Sequence, residues 1–141
     1  MRSREIEVAT GTEPSVVDLT DAVARFLGEA DDASRDGLLN VFVPHATAGL
    51  VVREVGAGSD DDLLSAVARL LPRDPGDSGW RHRHGSPGHG ADHVLPLLAS
   101  PSLTIPVLGG ALALGTWQSI VLIDTNRDNP RRRVRFSFLP G

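Results

Sequence analysis

Histidines are concentrated in one short stretch of this sequence. Four of the five (His82, His84, His89 and His93) fall within twelve residues, and His45 lies far upstream. Neutral imidazoles are good ligands for borderline cations such as zinc, and three of them with an open position are typical of a catalytic site. A helix would place His89 and His93 on one face, and an extended segment would do the same for His82 and His84. Spacing does not choose between these pairs, and a histidine-rich surface loop is the alternative.

His45 follows a dense apolar run and Pro44, which ends regular strand pairing. Only small residues come directly after it, so a side chain at this strand end can point into a cleft while the backbone approaches a ligand. The Thr47 hydroxyl and the Gly49 N–H are therefore candidate substrate-binding groups. An ordinary tight turn is the alternative interpretation.

Two carboxylates stand at the ends of apolar segments. Glu54 follows LVVR, and Asp124 follows SIVLI. Either side chain is a candidate catalytic residue, since a carboxylate can serve as a general base or as a metal ligand. An exposed strand terminus is the alternative, and proximity to the histidines is an assumption at this stage.

The segment GTWQ offers groups that could recognise a heterocycle. On a strand, Thr116 and Gln118 share one face, so a hydroxyl and an amide would lie side by side. Trp117 either belongs to the core or stacks on a planar ring. Walker, GxSxG and HExxH motifs are absent, so nucleotide hydrolysis, serine-hydrolase chemistry and zincin-type proteolysis have no support.

Composition excludes several classes of protein. The 141 residues contain no cysteine, so disulfides, thiolate metal sites and a cysteine nucleophile are excluded. A net charge of -4 argues against general nucleic-acid binding, although arginines crowd the C-terminus, where they either bind phosphate or protect a strand edge. No apolar run is long enough to span a membrane, and no secretory signal is apparent, so we expect a cytoplasmic protein.

Hydrophobic periodicity predicts one α+β domain over residues 1–141, with mixed or antiparallel sheets and two or three helices. Strands are predicted at 5–10, 38–43, 50–54, 102–107, 111–114, 117–124 and 133–139. Helices are predicted at 18–30, within the run 56–72 from a cap at Ser59 to Pro72, and, shortened or kinked by Pro96, at about 91–99. Residues 73–92 have no periodicity, and a loop of that length is often functional or disordered. The run 38–43 reads as a strand buried on both faces, and Ser59 as a helix cap.

Several uncommon strings occur in a characteristic order: HATAGLVVRE, a glycine-rich histidine loop ending in DH, PSLTIPV, LALGTWQSIVLID and a basic terminal strand. From residue 38 to 141 the chain resembles the YjbQ-type family, which is associated with secondary thiamine-phosphate synthase activity. The resemblance implies a compact α+β homotrimer. It also implies a site of three histidines, a glutamate and polar strand residues, with a divalent metal for which zinc is favoured and magnesium is possible with a diphosphate substrate.

The resemblance also assigns roles by position. His45 heads the family's turn, and the family's eleven-residue histidine spacing selects His82 and His93, so that His84 and His89 do not match. The implied metal ligands are thus His45, His82 and His93. The remaining matches are the acidic or substrate-binding positions Glu54, Gln118, Asp124 and Arg127.

The chain departs from the family pattern at four positions. The family usually carries acidic residues where this loop has Gly85 and Gly88. Arg53 replaces an asparagine, and Asp92 replaces a small residue. Any function of the two loop carboxylates is therefore lost here or has moved elsewhere.

The resemblance implies an enzyme that joins hydroxymethylpyrimidine diphosphate to a thiazole phosphate and releases pyrophosphate. Its partners would be a small phosphorylated heterocycle and other copies of the chain, with no nucleic acid and no membrane. A non-catalytic trimer that binds a metal or a small phosphate ligand is the first alternative. A structural trimer with histidines at its interface is the second.

Overall fold

The computed structural model describes residues 1–29, 35–73 and 79–141. Within these residues the strands are β1 (Arg2–Ala9), β2 (Ser15–Asp18), β3 (Gly37–Phe42), β4 (Ala48–Arg53), β5 (Ser102–Leu108), β6 (Ala111–Leu112), β7 (Ser119–Asp124) and β8 (Arg131–Pro140). The helices are α1 (Thr20–Gly28), α2 (Ser59–Leu70) and α3 (His89–Asp92), followed by a 3₁₀ turn (Leu95–Leu97).

The strands form two sheets, and all strand pairings in the described residues are antiparallel. One sheet has the order β1-β8-β3-β5-β6, and the other has the order β2-β7-β4. The inner face of the larger sheet packs against α1 and one face of the smaller sheet, as the shared core of these elements shows. The predicted α+β class is confirmed.

β7 is buried on both faces and links two cores. Ile120 and Leu122 belong to the core beneath the larger sheet, whereas Val121 and Ile123 pack with residues of α2 and the 3₁₀ turn. All four are almost fully buried. Burial of each such side chain stabilises the fold by about 1.5–3 kcal/mol relative to exposure. The smaller sheet is thus a middle layer, and the position of its central strand fixes the loop that follows Asp124.

The prediction that residues 38–43 are buried on both faces is wrong. Leu39 and Val41 are buried, but Leu38 is 49% exposed and Phe42 is 36% exposed, so β3 has an outer face. β2 was not predicted, because Pro14 and Gly11 suggested a turn. The predicted strand at 117–124 begins only at Ser119, with the preceding residues in a turn.

The predicted helix 18–30 is present but shorter, as α1, and the helix predicted between Ser59 and Pro72 is present as α2. Ser59 does not cap α2, because its hydroxyl donates to the Gly56 carbonyl at 2.6 Å and Gly58 occupies the cap position. The third predicted helix, 91–99, divides into α3 and the 3₁₀ turn. Residues 74–78 of the predicted long loop lie outside the described residues. Among the helices in the described part, none is long and apolar enough to cross a membrane.

Gly49, predicted to offer a free N–H to substrate, is instead a packing residue. It is buried in β4 opposite Ile123, and a Cβ atom there would lie 1.9 Å from the Ala99 carbonyl oxygen. The adjacent Leu50 N–H donates to the Ser100 carbonyl at 2.7 Å, which holds the 98–100 segment against this strand. The glycine is therefore required by close backbone approach.

We expect Gly49→Ala to destabilise the protein by about 1–3 kcal/mol, because the added methyl group overpacks a backbone contact. Urea denaturation followed by circular dichroism measures this change. Gly28→Ala is a suitable control, since a Cβ at Gly28 meets no atom within 4 Å. Equal stability of Gly49→Ala and wild type would contradict the packing role.

Candidate metal centre

Four imidazoles converge at one place on the surface. One ring nitrogen from each of His82, His84, His89 and His93 lies within 4.8 Å of the others. The Nε2 atoms of His82 and His84 are 3.0 Å apart, as are those of His89 and His93. Both pairs that spacing suggested are therefore present, and they face each other.

Local structure brings each pair together for a simple reason. His89 begins α3 and His93 directly follows it, so one helical turn stacks the two rings on one side. His82 and His84 lie in the segment before α3, which is neither helix nor strand, and their Nε2 atoms approach each other there. Gly88, at a φ of 79°, makes the sharp turn into α3.

The arrangement fits a tetrahedral cation. Zinc–nitrogen bonds of about 2.0–2.1 Å place ligand nitrogens about 3.3 Å apart. The 3.0 Å pairs and the 4.8 Å outer limit bracket that value. Burial and the neighbouring imidazoles lower the pKa of His93 below its ordinary value, so its ring is neutral at pH 7. A neutral ring keeps a nitrogen lone pair available to a metal.

The Asp128 carboxylate contacts the ring nitrogen of His89 that does not face the other imidazoles. Asp128 Oδ2 lies 2.6 Å from His89 Nδ1, and both Asp128 oxygens accept the Ser86 N–H at 3.1–3.2 Å. The Ser86 N–H is the main cause of a lowered pKa for Asp128, so this carboxylate is ionised at neutral pH. A metal-bound histidine commonly donates its other ring N–H to such a carboxylate.

Asp92 is a fully buried carboxylate with three partners. It pairs with the Arg73 guanidinium, and it accepts hydrogen bonds from the Thr125 hydroxyl at 2.8 Å and the Asn126 amide at 3.0 Å. Arg73 also reaches the Ser86 hydroxyl and the Pro87 carbonyl. This network ties the end of α2, the histidine segment and the loop after β7 into one unit. Asp92, which stands where the family resemblance predicts a small residue, thus helps to hold these segments together.

A cleft of about 270 Å³ opens beside the cluster. Trp80, Arg83, His82 and His89 contribute to its walls, together with residues 85–88. The Trp80 indole N–H donates to the Pro72 carbonyl at 2.8 Å, which fixes the ring orientation. The cleft therefore combines a planar apolar wall, a guanidinium and the imidazoles.

His45 does not join the cluster within one chain. Its Nε2 accepts a hydrogen bond from the Arg133 backbone N–H at 2.8 Å, so Nε2 carries no proton. Partial burial, followed by the positive charges of Arg132 and Arg133, lowers the pKa of His45. The ligand set of His45, His82 and His93 is therefore not assembled in a single chain, because His45 lies against β8.

Asp124 forms a buried ion pair with Arg132, and Thr47 is hydrogen-bonded to the same guanidinium. The Arg132 guanidinium donates to both Asp124 oxygens, at 2.7 and 2.9 Å, and to the Thr47 hydroxyl at 3.0 Å. Asp124 and Arg132 are 1% and 2% exposed, and the Thr10 hydroxyl also donates to Asp124. The Asn126 backbone N–H is a fourth donor to this carboxylate, at 3.0 Å, so Asp124 joins β7 to β8 instead of facing a substrate.

The other predicted residues lie apart from the histidines. Glu54 is exposed after β4, and Gln118 precedes β7 at the same end of the smaller sheet, where Arg53 pairs with Ser119. Thr116 and Trp117 form the adjoining turn; Trp117 is 74% exposed, so it is not a core residue. The length of β7 separates this end from Asp124 by roughly 17–20 Å.

Arg127 is half-exposed, 3.7 Å from the Glu13 carboxylate. Its guanidinium is therefore on the surface, on the loop that also carries Asn126 and Asp128. The latter two residues were missed from the sequence, because nothing in their local pattern shows that this loop folds onto α3. The acidic and amide residue types in TNRDN were the only available signal.

The two glycines that replace acidic residues have no room for side chains. At Gly85, with φ of 80°, a Cβ would lie 2.8 Å from Asp128 Oδ2. At Gly88 it would lie 2.0 Å from the Arg73 carbonyl oxygen. Side chains at these two positions would collide with their surroundings, and Asp128, from another segment, is the carboxylate that lies beside His89.

Comparison with known proteins gives a consistent result. The model of the family described as "UPF0047 protein YjbQ-like" matches residues 4–141. A UPF0047 protein of Mycobacterium tuberculosis H37Rv is 61% identical over 89% of this chain and 90% of its own length. A UPF0047 protein of Archaeoglobus fulgidus is 35% identical over 92% of this chain and 94% of its own length.

Solved structures share the fold. A hypothetical protein of Aeropyrum pernix K1 has a TM-score of 0.85 and 30% identity, with both chains covered completely. A YbjQ-like protein of unknown function from Sulfolobus solfataricus P2 has a TM-score of 0.88 and 24% identity, covering 99% of this chain and 97% of its own. The second likeness concerns the fold alone.

We expect Asp124→Asn to destabilise the protein by about 3–5 kcal/mol, because it leaves the Arg132 guanidinium buried without a counter-charge. Thermal and urea denaturation measure the loss. Glu54→Gln removes the same charge from an exposed position and should change stability by less than about 0.5 kcal/mol. If Asp124→Asn were as stable as wild type, the ion pair would have no structural role and a functional role would regain support.

Proposed function

This chain belongs to the YjbQ-like UPF0047 family, and we propose that it works through a divalent metal, preferably zinc, held by His82, His84, His89 and His93. The observation that carries the proposal is the convergence of four imidazoles, one of which is backed by the Asp128 carboxylate. Imidazole nitrogens favour zinc over magnesium, which prefers oxygen ligands. Three of the histidines are exposed, which allows a ligand to reach the centre.

The charge of the site favours an anionic ligand. Four neutral imidazoles leave the two positive charges of a bound cation uncompensated, apart from the Asp128 carboxylate behind His89. Arg83, in the wall of the adjoining cleft, adds a further positive charge. A phosphate or diphosphate group therefore matches the centre, and the Trp80 wall suits a planar ring attached to it.

We propose, on the family resemblance, that the reaction is of the thiamine-phosphate synthase type. Hydroxymethylpyrimidine diphosphate would be joined to a thiazole phosphate with release of pyrophosphate. A bound divalent ion would stabilise the negative charge that develops on the departing pyrophosphate. Because four imidazoles would fill a tetrahedral shell, direct contact would require a fifth ligand position or the release of one histidine. In this chain Arg83 would hold a phosphate at the cleft, while His89 and its carboxylate partner would keep the centre in place.

The alternative is a protein that binds a metal or a small phosphate ligand without catalysis. One observation favours it: Glu54, the candidate base, lies at the opposite end of the smaller sheet from the Asp124 end. A homotrimer is also proposed from the resemblance. It would remove this difficulty if Glu54 and Gln118 of one copy lay beside the histidines of the neighbouring copy. The exposed Trp117 would suit such a contact, because tryptophan is a frequent anchor in interfaces.

We expect purified protein to contain close to one zinc ion per chain by elemental mass spectrometry. His84→Ala and His89→Ala should lose it, because each removes a ligand, whereas His45→Ala should retain it. The same assay at pH 8 and pH 5 should show release in acid, since protons compete for imidazole nitrogens. Loss of zinc in His45→Ala with retention in His84→Ala would instead support the ligand set implied by the family.

Zinc-loaded protein should convert the two proposed substrates to thiamine phosphate and pyrophosphate, and His89→Ala should abolish turnover. A chromatographic assay of both products tests this, with Arg69→Ala as a control on the remote α2 helix. Zinc binding without turnover would favour the non-catalytic alternative. Light scattering gives the oligomeric state, and inactive Glu54→Gln and His89→Ala proteins that regain activity on mixing would support a site shared between copies.

A further inference from the structure

Asp128 has a more specific role than packing beside His89. We infer that Asp128 is a positioning residue that fixes the tautomer of His89, so that the His89 Nε2 lone pair faces the centre of the histidine cluster. The inference adds a residue that supports one of the proposed metal ligands, and in that respect it rests on the proposed metal centre. The tautomer itself is a property of the metal-free protein.

The neighbours of His89 Nδ1 present a choice between two hydrogen bonds. The Asp128 carboxylate oxygen lies at 2.6 Å, and the Asn126 side-chain nitrogen lies at 3.0 Å. A carboxylate can only accept a hydrogen bond, whereas an amide nitrogen can only donate one. Nδ1 therefore carries a proton if Asp128 is its partner and lacks one if Asn126 is its partner.

The orientation of Asn126 is determined by its surroundings. Its side-chain oxygen accepts the backbone N–H groups of Asp128 and Asn129, both at 3.0 Å, so the nitrogen must point the other way. That nitrogen already has an acceptor in Asp92 Oδ2 at 3.0 Å. Only the second N–H of this amide is left to donate to His89 Nδ1, in competition with Asp128.

Asp128 is the stronger partner for two reasons. Its contact with His89 is the shorter of the two, and hydrogen bonds to an ionised group are about twice as strong as neutral ones. Nδ1 thus bears the proton, and Nε2 bears the lone pair. The Nε2 atom lies 3.0 Å from His93 Nε2, on the side where the four rings meet.

The position of Asp128 is itself constrained. The Ser86 N–H and hydroxyl both donate to its carboxylate, which holds the histidine segment against the loop after β7. Gly85 leaves the space that the carboxylate occupies, since a Cβ there would lie 2.8 Å from Oδ2. The surrounding backbone is therefore shaped to admit this carboxylate beside His89.

The test uses nitrogen-15 NMR of the histidine rings in the full-length protein after metal removal with a chelator, at pH 7.5. Wild type should show His89 as the Nδ1–H tautomer. Asp128→Ala should shift His89 toward the Nε2–H tautomer, because the Asn126 amide becomes the remaining neighbour of Nδ1. Asp128→Asn should restore the Nδ1–H form, since its amide oxygen still accepts.

Zinc affinity, measured by competition with a chromophoric chelator, should fall by about 10- to 100-fold in Asp128→Ala. Asp61→Ala, which removes an acidic residue from the exposed side of α2, is the matched control and should leave the affinity unchanged. A merely structural role for Asp128 would change the melting temperature without changing the tautomer.

An Nε2–H tautomer in metal-free wild type would overturn the inference whether or not the variants fold. So would an unchanged tautomer and unchanged zinc affinity in Asp128→Ala. If wild type shows the Nδ1–H tautomer but takes up no zinc, the proposed metal centre fails while the assignment of Asp128 to His89 stands. The two ideas are thus separated by a single pair of measurements on wild type.

Discussion

Burying a carboxylate without charged or hydrogen-bonding partners costs a prohibitive amount of free energy. The histidine site of this chain depends on the partners that surround the buried carboxylate of Asp92. Its partners come from the end of α2 and from the loop after β7, through Arg73, Thr125 and Asn126. These partners hold two segments of the chain against α3. His89 begins α3 and His93 directly follows Asp92, so the contacts that hold Asp92 in place also hold the backbone that carries both imidazoles.

The strand β7 supplies the frame for this arrangement. Its side chains enter two cores on opposite faces, so it cannot shift or rotate without exposing apolar surface. Asp124 at its end is paired with the buried Arg132, which fixes the start of the following loop. The loop then carries Asn126 and Asp128 to the histidines, so the geometry of the site follows from packing some distance away.

The site combines positively charged groups with an apolar wall, and this combination suits an anionic ligand that contains a planar ring. The imidazoles can hold a cation, Arg83 adds positive charge to the cleft, and Trp80 gives it a flat wall. The polar groups that the family resemblance adds, Glu54 and Gln118, are gathered at the opposite end of the smaller sheet. The proposal of a site shared between copies of the chain follows from that separation.

The sequence by itself determined the α+β class, most strands and the amphipathic helices, because these depend on periodicity within short segments. It also indicated both histidine pairs, since i+2 and i+4 spacings are local. Only the tertiary structure decided that the pairs meet, that His45 lies against β8 and that Asp124 is an internal ion pair. Asp128, 39 residues from His89, could not be recognised from local spacing, because their contact depends on how β7 and α3 pack.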